Sequence, residues 1–92
     1  MSELAGGQPV PVFNCVVHLA PPLADGTVVA RVVNLAGIEG RGRSQREALA
    51  QAAGAFKATV SRYHAAGEPI PWLDHPAPLN PGESQRLIAV HL

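Results

Sequence analysis

One amphipathic stretch, residues 44–66, constrains the fold of this chain more than any other feature. Ser44 can cap a helix, and Glu47 follows at the spacing of a capping box. The residues between are mostly strong helix formers without proline, and Gly67 can then serve as the C-cap. The stretch predicts a helix of about six turns that packs one side onto a sheet. The inward stripe comprises Leu49, Ala52, Ala53, Phe56, Val60 and Tyr63.

Three further segments have the β-branched and aromatic side chains typical of strands. Residues 10–19 predict a first strand, residues 27–35 a second and residues 86–92 a last one. The first two are joined through the turn-forming pair Asp25-Gly26, so we expect an antiparallel hairpin. The side chains expected on the core faces are Phe13, Cys15, Val17 and Leu19, then Val29, Val33 and Leu35, and finally Ile88, Val90 and Leu92.

Two segments rich in glycine or proline join these elements. Residues 36–43 contain three glycines, at positions 37, 40 and 42, which fits tight turns or a short edge strand. This segment lacks the lysine ending of a phosphate loop and the GxGxxG of a dinucleotide site. Residues 69–81 hold five prolines and predict an extended connector, with Ile70 and Trp72 as its anchors on the domain.

The length and composition fit one small domain. The 92 residues are 47% hydrophobic and 15% charged, too apolar for an intrinsically disordered chain. We predict an α+β fold, an antiparallel sheet with one long helix packed on one face, in the order β-β-β-α-β. Residues 1–9 are expected to form a flexible N-terminal arm and residues 10–92 the domain.

Charge and cysteine content narrow the class of protein. Seven basic and seven acidic side chains cancel, which excludes a protein that coats nucleic acid or an anionic membrane. The single cysteine, Cys15, forms no internal disulfide and is interpreted as a small buried hydrophobe. The sequence has neither a signal-peptide pattern nor an apolar run long enough for a membrane span. We therefore expect a cytoplasmic protein.

No constellation in the sequence predicts catalysis. His18, His64, His75 and His91 lack the spacing of a zinc site, and no acid–base pair of carboxylates can be named. We therefore expect no catalytic residues, no metal and no cofactor, and we interpret the protein as a non-enzyme. An enzymatic interpretation requires folding to bring His18 or His91 beside a carboxylate in a pocket.

Charge is unevenly distributed along the chain. Residues 31–62 carry six basic and two acidic side chains, a local net charge of +4. Arg41, Arg43 and Arg46 cluster at the predicted helix N-terminus, where the helix dipole favours anions. The cluster is either a contact for an acidic partner or a phosphate, or a solvated loop. Together with Trp72, these arginines are the predicted partner-binding residues, since aromatic and arginine anchors dominate many interfaces.

Residues 35–49 read Leu-Ala-Gly-Ile-Glu-Gly-Arg-Gly-Arg-Ser-Gln-Arg-Glu-Ala-Leu and resemble the signature of HicB-like antitoxins. That signature is Leu-Pro-Gly-Cys, three variable residues, Gly-Asp-Thr, two variable residues and Glu-Ala-Leu. Ala36 and Ile38 stand at its Pro and Cys positions, and Arg43 at its acidic position. The aromatic-led first strand from Phe13 and the Gly-Glu-Pro-Ile-Pro of residues 67–71 extend the resemblance over residues 10–92.

The resemblance implies a function as well as a fold. Members of the family fold as a three-stranded sheet, a helix and a further strand, and they neutralise a small HicA-type toxin ribonuclease by covering its active site. Many carry a C-terminal DNA-binding segment; this chain ends at Leu92, so we expect no direct DNA binding. The alternative hypothesis is an RNA- or anion-binding oligomeric module that uses the basic residues 41–46. Self-association as a dimer or tetramer is expected, because a free sheet edge must be paired or covered.

Overall fold

The computed structural model describes residues 11–92, and its element order is the predicted β-β-β-α-β. The elements are β1 (Val12–Leu19), β2 (Val28–Val32), β3 (Glu39–Gly42), α1 (Gln45–Ala66) and β4 (Ser84–His91). The predicted α+β class, with one long helix on an antiparallel sheet, is therefore confirmed. The arm predicted for residues 1–9 lies outside the described residues.

The four strands form one antiparallel sheet in the order β3-β2-β1-β4. The central strand β1 pairs with β4 along its whole length, from Val12 opposite His91 to Leu19 opposite Ser84. It pairs with β2 only over its last three residues, 17–19. The first hairpin is thus confirmed as antiparallel, and β3 and β4 are the two edges of the described sheet.

The predicted capping of α1 is confirmed at both ends. Ser44 has extended backbone angles, and its hydroxyl accepts a hydrogen bond of 3.1 Å from the amide of Glu47. The Glu47 carboxylate accepts a hydrogen bond of 2.8 Å from the backbone amide of Arg43. In a standard capping box the donor would be the amide of the next residue, Ser44. At the other end Gly67 adopts φ 69°, in the left-handed region that favours glycine, and its amide donates to the His64 carbonyl.

The core lies between α1 and the sheet, and most of the expected inward side chains line it. Cys15, Val17 and Leu19 of β1 are buried, as is Val90 of β4, while Phe13, Ile88 and Leu92 pack against them partly exposed. The buried residues of α1 are Ala48, Ala52, Phe56 and Val60. The faces predicted for the first and last strands are therefore confirmed.

The face predicted for the second strand is wrong. Val28, Ala30 and Val32 are the buried residues of β2, so Val29 shares the opposite face with Arg31. From Val28 to Val33 the even-numbered and the odd-numbered residues are both apolar, apart from Arg31. Alternation alone therefore could not select the inner face. The strand also ends at Val32, earlier than predicted, although Val33 and Leu35 are buried beyond it.

The alternating glycines of the third strand let α1 lie directly on the sheet edge. A Cβ atom at Gly40 would collide with the backbone of Ala48 and Ala52, and one at Gly42 would stand 2.7 Å from the Cβ of Glu47. The prediction of a short edge strand is confirmed. Its glycines are explained by close helix packing, which the sequence pattern did not indicate.

Candidate protein-binding surface

The side of the sheet turned away from α1, here called the far face, carries the residues with the most distinctive chemistry. By strand alternation it comprises Val12, Asn14, Val16 and His18 of β1, Val29 and Arg31 of β2, Glu39 and Arg41 of β3, and Gln85, Leu87, Ala89 and His91 of β4. The connector reaches this side too, because Leu73, His75 and Ala77 line a groove together with Arg31 and Glu39.

A buried polar cluster lies on the far face near the end of β1 and the beginning of β4. Arg31 donates hydrogen bonds of 3.1 and 3.0 Å to the two carboxylate oxygens of Glu83. Nε2 of His18 lies 3.2 Å from the amide oxygen of Gln85, and its Nδ1 lies 3.8 Å from the Glu83 carboxylate. His18 is only 2% exposed and the Glu83 side chain 7%. The cluster joins β1, β2 and the beginning of β4.

The charge of Glu83 is stabilised from two directions. The backbone amide of Asn80 donates a hydrogen bond of 2.8 Å to its carboxylate. That bond and the Arg31 guanidinium lower the pKa of Glu83 from its ordinary value of 4.5. Ionised Glu83 is therefore the form that holds the cluster together.

Folding places His18 beside a carboxylate, which was the condition set for an enzymatic interpretation. The histidine is covered, however, and the Glu83 oxygens already accept hydrogen bonds from Arg31 and Asn80. A substrate would have to displace those bonds to reach either group. The geometry therefore favours a structural role for the pair.

The three arginines of the predicted contact region occupy different surroundings. Arg41 projects from β3 on the far face and forms an exposed ion pair with Glu39, with Nε 2.9 Å from the carboxylate. Arg43 lies between β3 and α1, and Arg46 lies in the first turn of the helix; both are exposed. Glu47 already caps the helix N-terminus through the Arg43 amide, so an anion there would compete with a carboxylate of the chain itself.

Trp72 lies apart from the arginines. Its ring stands 5.9 Å from the ring of Phe13 and 5.9 Å from that of Phe56, tilted against both. Phe56 is ten residues beyond Arg46 on the helix, a separation of about 15 Å along the axis. Trp72 therefore anchors the connector on the core, as expected for it and for the half-buried Ile70. Its remaining exposure is 40%.

An apolar part of the far face was missed by the sequence analysis. Leu87 is 68% exposed and Val12 50%, and Ala89 beside them is also exposed. The signal was present in the sequence, because Leu87 alternates with the inward-facing Ile88 on a strand whose other far-face residues are small or polar. Together Val12, Leu87 and Ala89 form an exposed apolar surface of the kind at which other protein chains bind.

Other reactive groups of the described chain are dispersed or buried. Among residues 11–92 there is no group of three or more potential metal ligands. Burial raises the pKa of the Cys15 thiol to about 11, which keeps it protonated and unreactive at neutral pH. No helix among residues 11–92 combines the length and the apolar character needed to cross a membrane.

Comparison with family models, with curated proteins and with solved structures finds no match for this chain. The two surfaces that bear on its function are the basic segment of Arg41, Arg43 and Arg46 and the apolar part of the far face with its adjoining edge.

Proposed function

We propose that this chain is a non-catalytic binding protein of the HicB-like antitoxin type, which sequesters a small HicA-type toxin ribonuclease by direct contact. The observation that carries the proposal is the agreement between the signature-like segment and the elements it forms. Residues 35–49 make the Gly37 turn, the edge strand β3 and the capped start of α1. A signature match by chance would not have to coincide with these structural boundaries.

The exposed arginines support a protein contact at this end of the molecule. Arg43 and Arg46 are exposed on either side of the N-cap, and Arg41 extends the surface onto the far face. Arginine is well suited to pairing with carboxylates because its guanidinium offers several donors in a fixed plane. We propose that these three residues contact acidic groups of the partner. Trp72 remains a proposed contact through its exposed edge.

The buried polar cluster supports binding over catalysis. His18 and Glu83 connect three strands through contacts that exclude water from them. A general acid or base must reach its substrate within hydrogen-bond distance, and here the histidine is covered while the Glu83 oxygens are held by Arg31 and Asn80. The same proposal locates the chain in the cytoplasm, where a ribonuclease of this class meets cellular RNA.

Binding to the product of the reading frame adjacent to this gene tests the proposal. Isothermal titration with the purified neighbour product should give a saturable complex, and the Arg43→Glu/Arg46→Glu variant should weaken it at least tenfold. The Lys57→Glu/Arg62→Glu variant changes the net charge equally at exposed helix positions and should bind as the wild type does. Equal weakening by both variants would show a net-charge effect and contradict the proposed contact.

The RNA-binding alternative predicts a different response. A single-stranded RNA oligonucleotide should bind with an affinity that falls steeply between about 50 and 200 mM salt, because phosphate contacts release counterions from the RNA. That binding should disappear in the Arg41→Ala/Arg43→Ala variant. Such a result, without binding to the neighbour product, would overturn the antitoxin proposal in favour of the alternative.

A further inference from the structure

The outer side of β4 presents a row of backbone hydrogen-bonding groups, of which the Gln85 carbonyl already accepts a hydrogen bond of 3.1 Å from the Arg86 guanidinium. The amide of Leu92 donates to the carbonyl of Pro11, which fixes the phase of the β1–β4 ladder. In an antiparallel ladder, residues alternate between those bonded to the neighbouring strand and those directed away from it. Gln85, Leu87, Ala89 and His91 therefore direct their amides and carbonyls outward. No strand among residues 11–92 pairs with them.

This edge lacks the features by which sheet proteins avoid strand addition. β4 spans eight residues in continuous register with β1, and its sequence contains neither proline nor lysine. The opposite edge, β3, has only four residues and carries the Glu39–Arg41 ion pair. Monomeric proteins keep edge strands short, charged or distorted. β3 follows that rule, whereas β4 is long and regular and carries Arg86 as its one such charge.

We infer that β4 pairs antiparallel with β4 of a second copy, around a twofold axis that passes between the two Ile88 residues. In this register Gln85 lies opposite His91 of the second copy, and Leu87 lies opposite Ala89. All four are outward-directed positions, so each pair exchanges both backbone hydrogen bonds. The two sheets then form one continuous sheet with both helices on the same side. This interface goes beyond the proposed toxin contact and does not depend on it.

The side chains of β4 match in that register. On the far face the exposed Leu87 packs against Ala89 of the second copy, and on the helix side the two Ile88 residues meet as a close cross-strand pair. Arg86, the only arginine, lysine, aspartate or glutamate of the strand, faces Val90. The two arginines are then about 14 Å apart along the strands, beyond the Debye length of about 8 Å.

Neighbouring registers fit less well. An axis at Arg86 would place the two guanidinium groups directly opposite each other, which is destabilising. An axis at Leu87 would set His91 opposite Glu83, which precedes the strand and already binds Arg31. The register centred on Ile88 uses every outward-directed amide of β4 and opposes no like charges, and this self-complementarity identifies a second copy as the occupant.

The helix leaves room for the second copy beside β4. Ala53, Gly54 and Lys57 of α1 line a groove with residues 88–91, and the small side chains of the first two keep it open. An added strand would lie along the floor of this groove. The aliphatic part of Lys57 would then cover the Ile88 pair from above.

The mass of the protein in solution tests the inference. Analytical ultracentrifugation of the wild type should give twice the 9.6 kDa chain mass. Leu87→Lys should raise the dissociation constant of the dimer at least tenfold. Leu23→Lys, at a loop leucine that is 49% exposed, should leave the dimer unchanged. Circular dichroism must show both variants folded. A wild-type protein that remains monomeric at 200 µM would overturn the inference.

Disulfide trapping tests the register. Cys15 lies opposite position 88 on β1, so the cysteines are introduced in a Cys15→Ala background, which should itself remain dimeric. Ile88→Cys should then give a covalent dimer under mild oxidation, because facing residues of such a pair stand about 4.5 Å apart. Leu87→Cys should cross-link at least tenfold more slowly. Faster cross-linking at position 87, or none at either position, would contradict the proposed pairing.

Discussion

The guanidinium of Arg31 holds the carboxylate of Glu83 by two hydrogen bonds, of 3.1 and 3.0 Å, across the central strand β1. His18 lies on β1 between them, opposite Arg31 in the β1–β2 register. The ion pair therefore covers the histidine, which explains an exposure of only 2%. Because Arg31 and Glu83 are 52 residues apart, this contact ties the first hairpin to the segment that begins β4.

Loss of the Arg31 side chain should destabilise the fold measurably. Arg31→Met leaves the largely buried Glu83 carboxylate with the Asn80 amide alone, and we expect a loss of about 1–2 kcal/mol, reduced by the 35% exposure of Arg31. Arg41→Met is the matched control: it breaks an exposed arginine–glutamate pair and should cost less than about 0.5 kcal/mol. Urea unfolding measures both. Equal losses would contradict the structural importance given to the buried pair.

The contribution of Glu83 should depend on pH in a defined direction. Its folded-state pKa is lowered from 4.5, so its ionised form stabilises the fold above about pH 4.5. That stabilisation is lost as the pH falls through the lower, folded-state value. The difference in unfolding free energy between wild type and Glu83→Gln should be constant from pH 7 to about pH 5 and shrink below pH 4.5. A difference that stays constant down to pH 2.5 would contradict the assignment.

Two glycine-to-alanine substitutions should have opposite effects. Gly40→Ala drives a methyl group into the backbone of α1, and we expect a loss of about 1–3 kcal/mol because the helix must move away from β3. Gly54→Ala adds a methyl group where nothing lies within 4 Å, and it should stabilise the helix by about 0.5–1 kcal/mol. Thermal unfolding monitored by circular dichroism distinguishes them. Similar shifts in the same direction would contradict the close packing of α1 on β3.

Beyond the end of β2, the side chain of Asn34 makes the hydrogen bonds to β1 that a continuing strand would make. The side-chain oxygen of Asn34 accepts a hydrogen bond of 3.1 Å from the backbone amide of Val16. Its side-chain nitrogen donates one of 2.8 Å to the backbone carbonyl of Asn14. Asn34→Ala should therefore destabilise the protein by about 1–2 kcal/mol. Hydrogen exchange at the Val16 amide should accelerate by a larger factor than exchange elsewhere on β1. Asn14→Ala keeps the carbonyl and should leave that exchange rate unchanged; an equal acceleration would contradict the account.

The parts of the fold that the sequence predicts are those determined by neighbouring residues. Ser44 and Glu47 mark the helix start, and Gly67 marks its end through a backbone conformation that glycine adopts most easily. The inner face of β1 follows from the alternation around Cys15, in which Asn14 and His18 mark the opposite face. The inner face of β2 does not, because valine occupies both parities and only the rest of the sheet decides which side meets α1.

The same distinction holds for the candidate surfaces: features determined by neighbouring residues could be predicted from the sequence, and features that join distant segments could not. Exposure of Arg43 and Arg46 follows from their place beside the N-cap, and the sequence predicted it. The cluster of His18, Arg31 and Glu83 joins three separate segments, so no local pattern could reveal it. The free edge at β4 depends on strand order, which places β4 beside β1 and leaves Leu87 exposed.

Inhibition of a ribonuclease tests the proposed antitoxin function directly. The product of the reading frame adjacent to this gene is assayed for cleavage of a labelled RNA while the purified chain is added in increasing amounts. The account predicts that cleavage stops at about one chain per ribonuclease and returns when Arg43→Glu/Arg46→Glu replaces the wild type. Cleavage that continues at a tenfold excess of this chain, or neighbour products that do not cleave RNA, would contradict it.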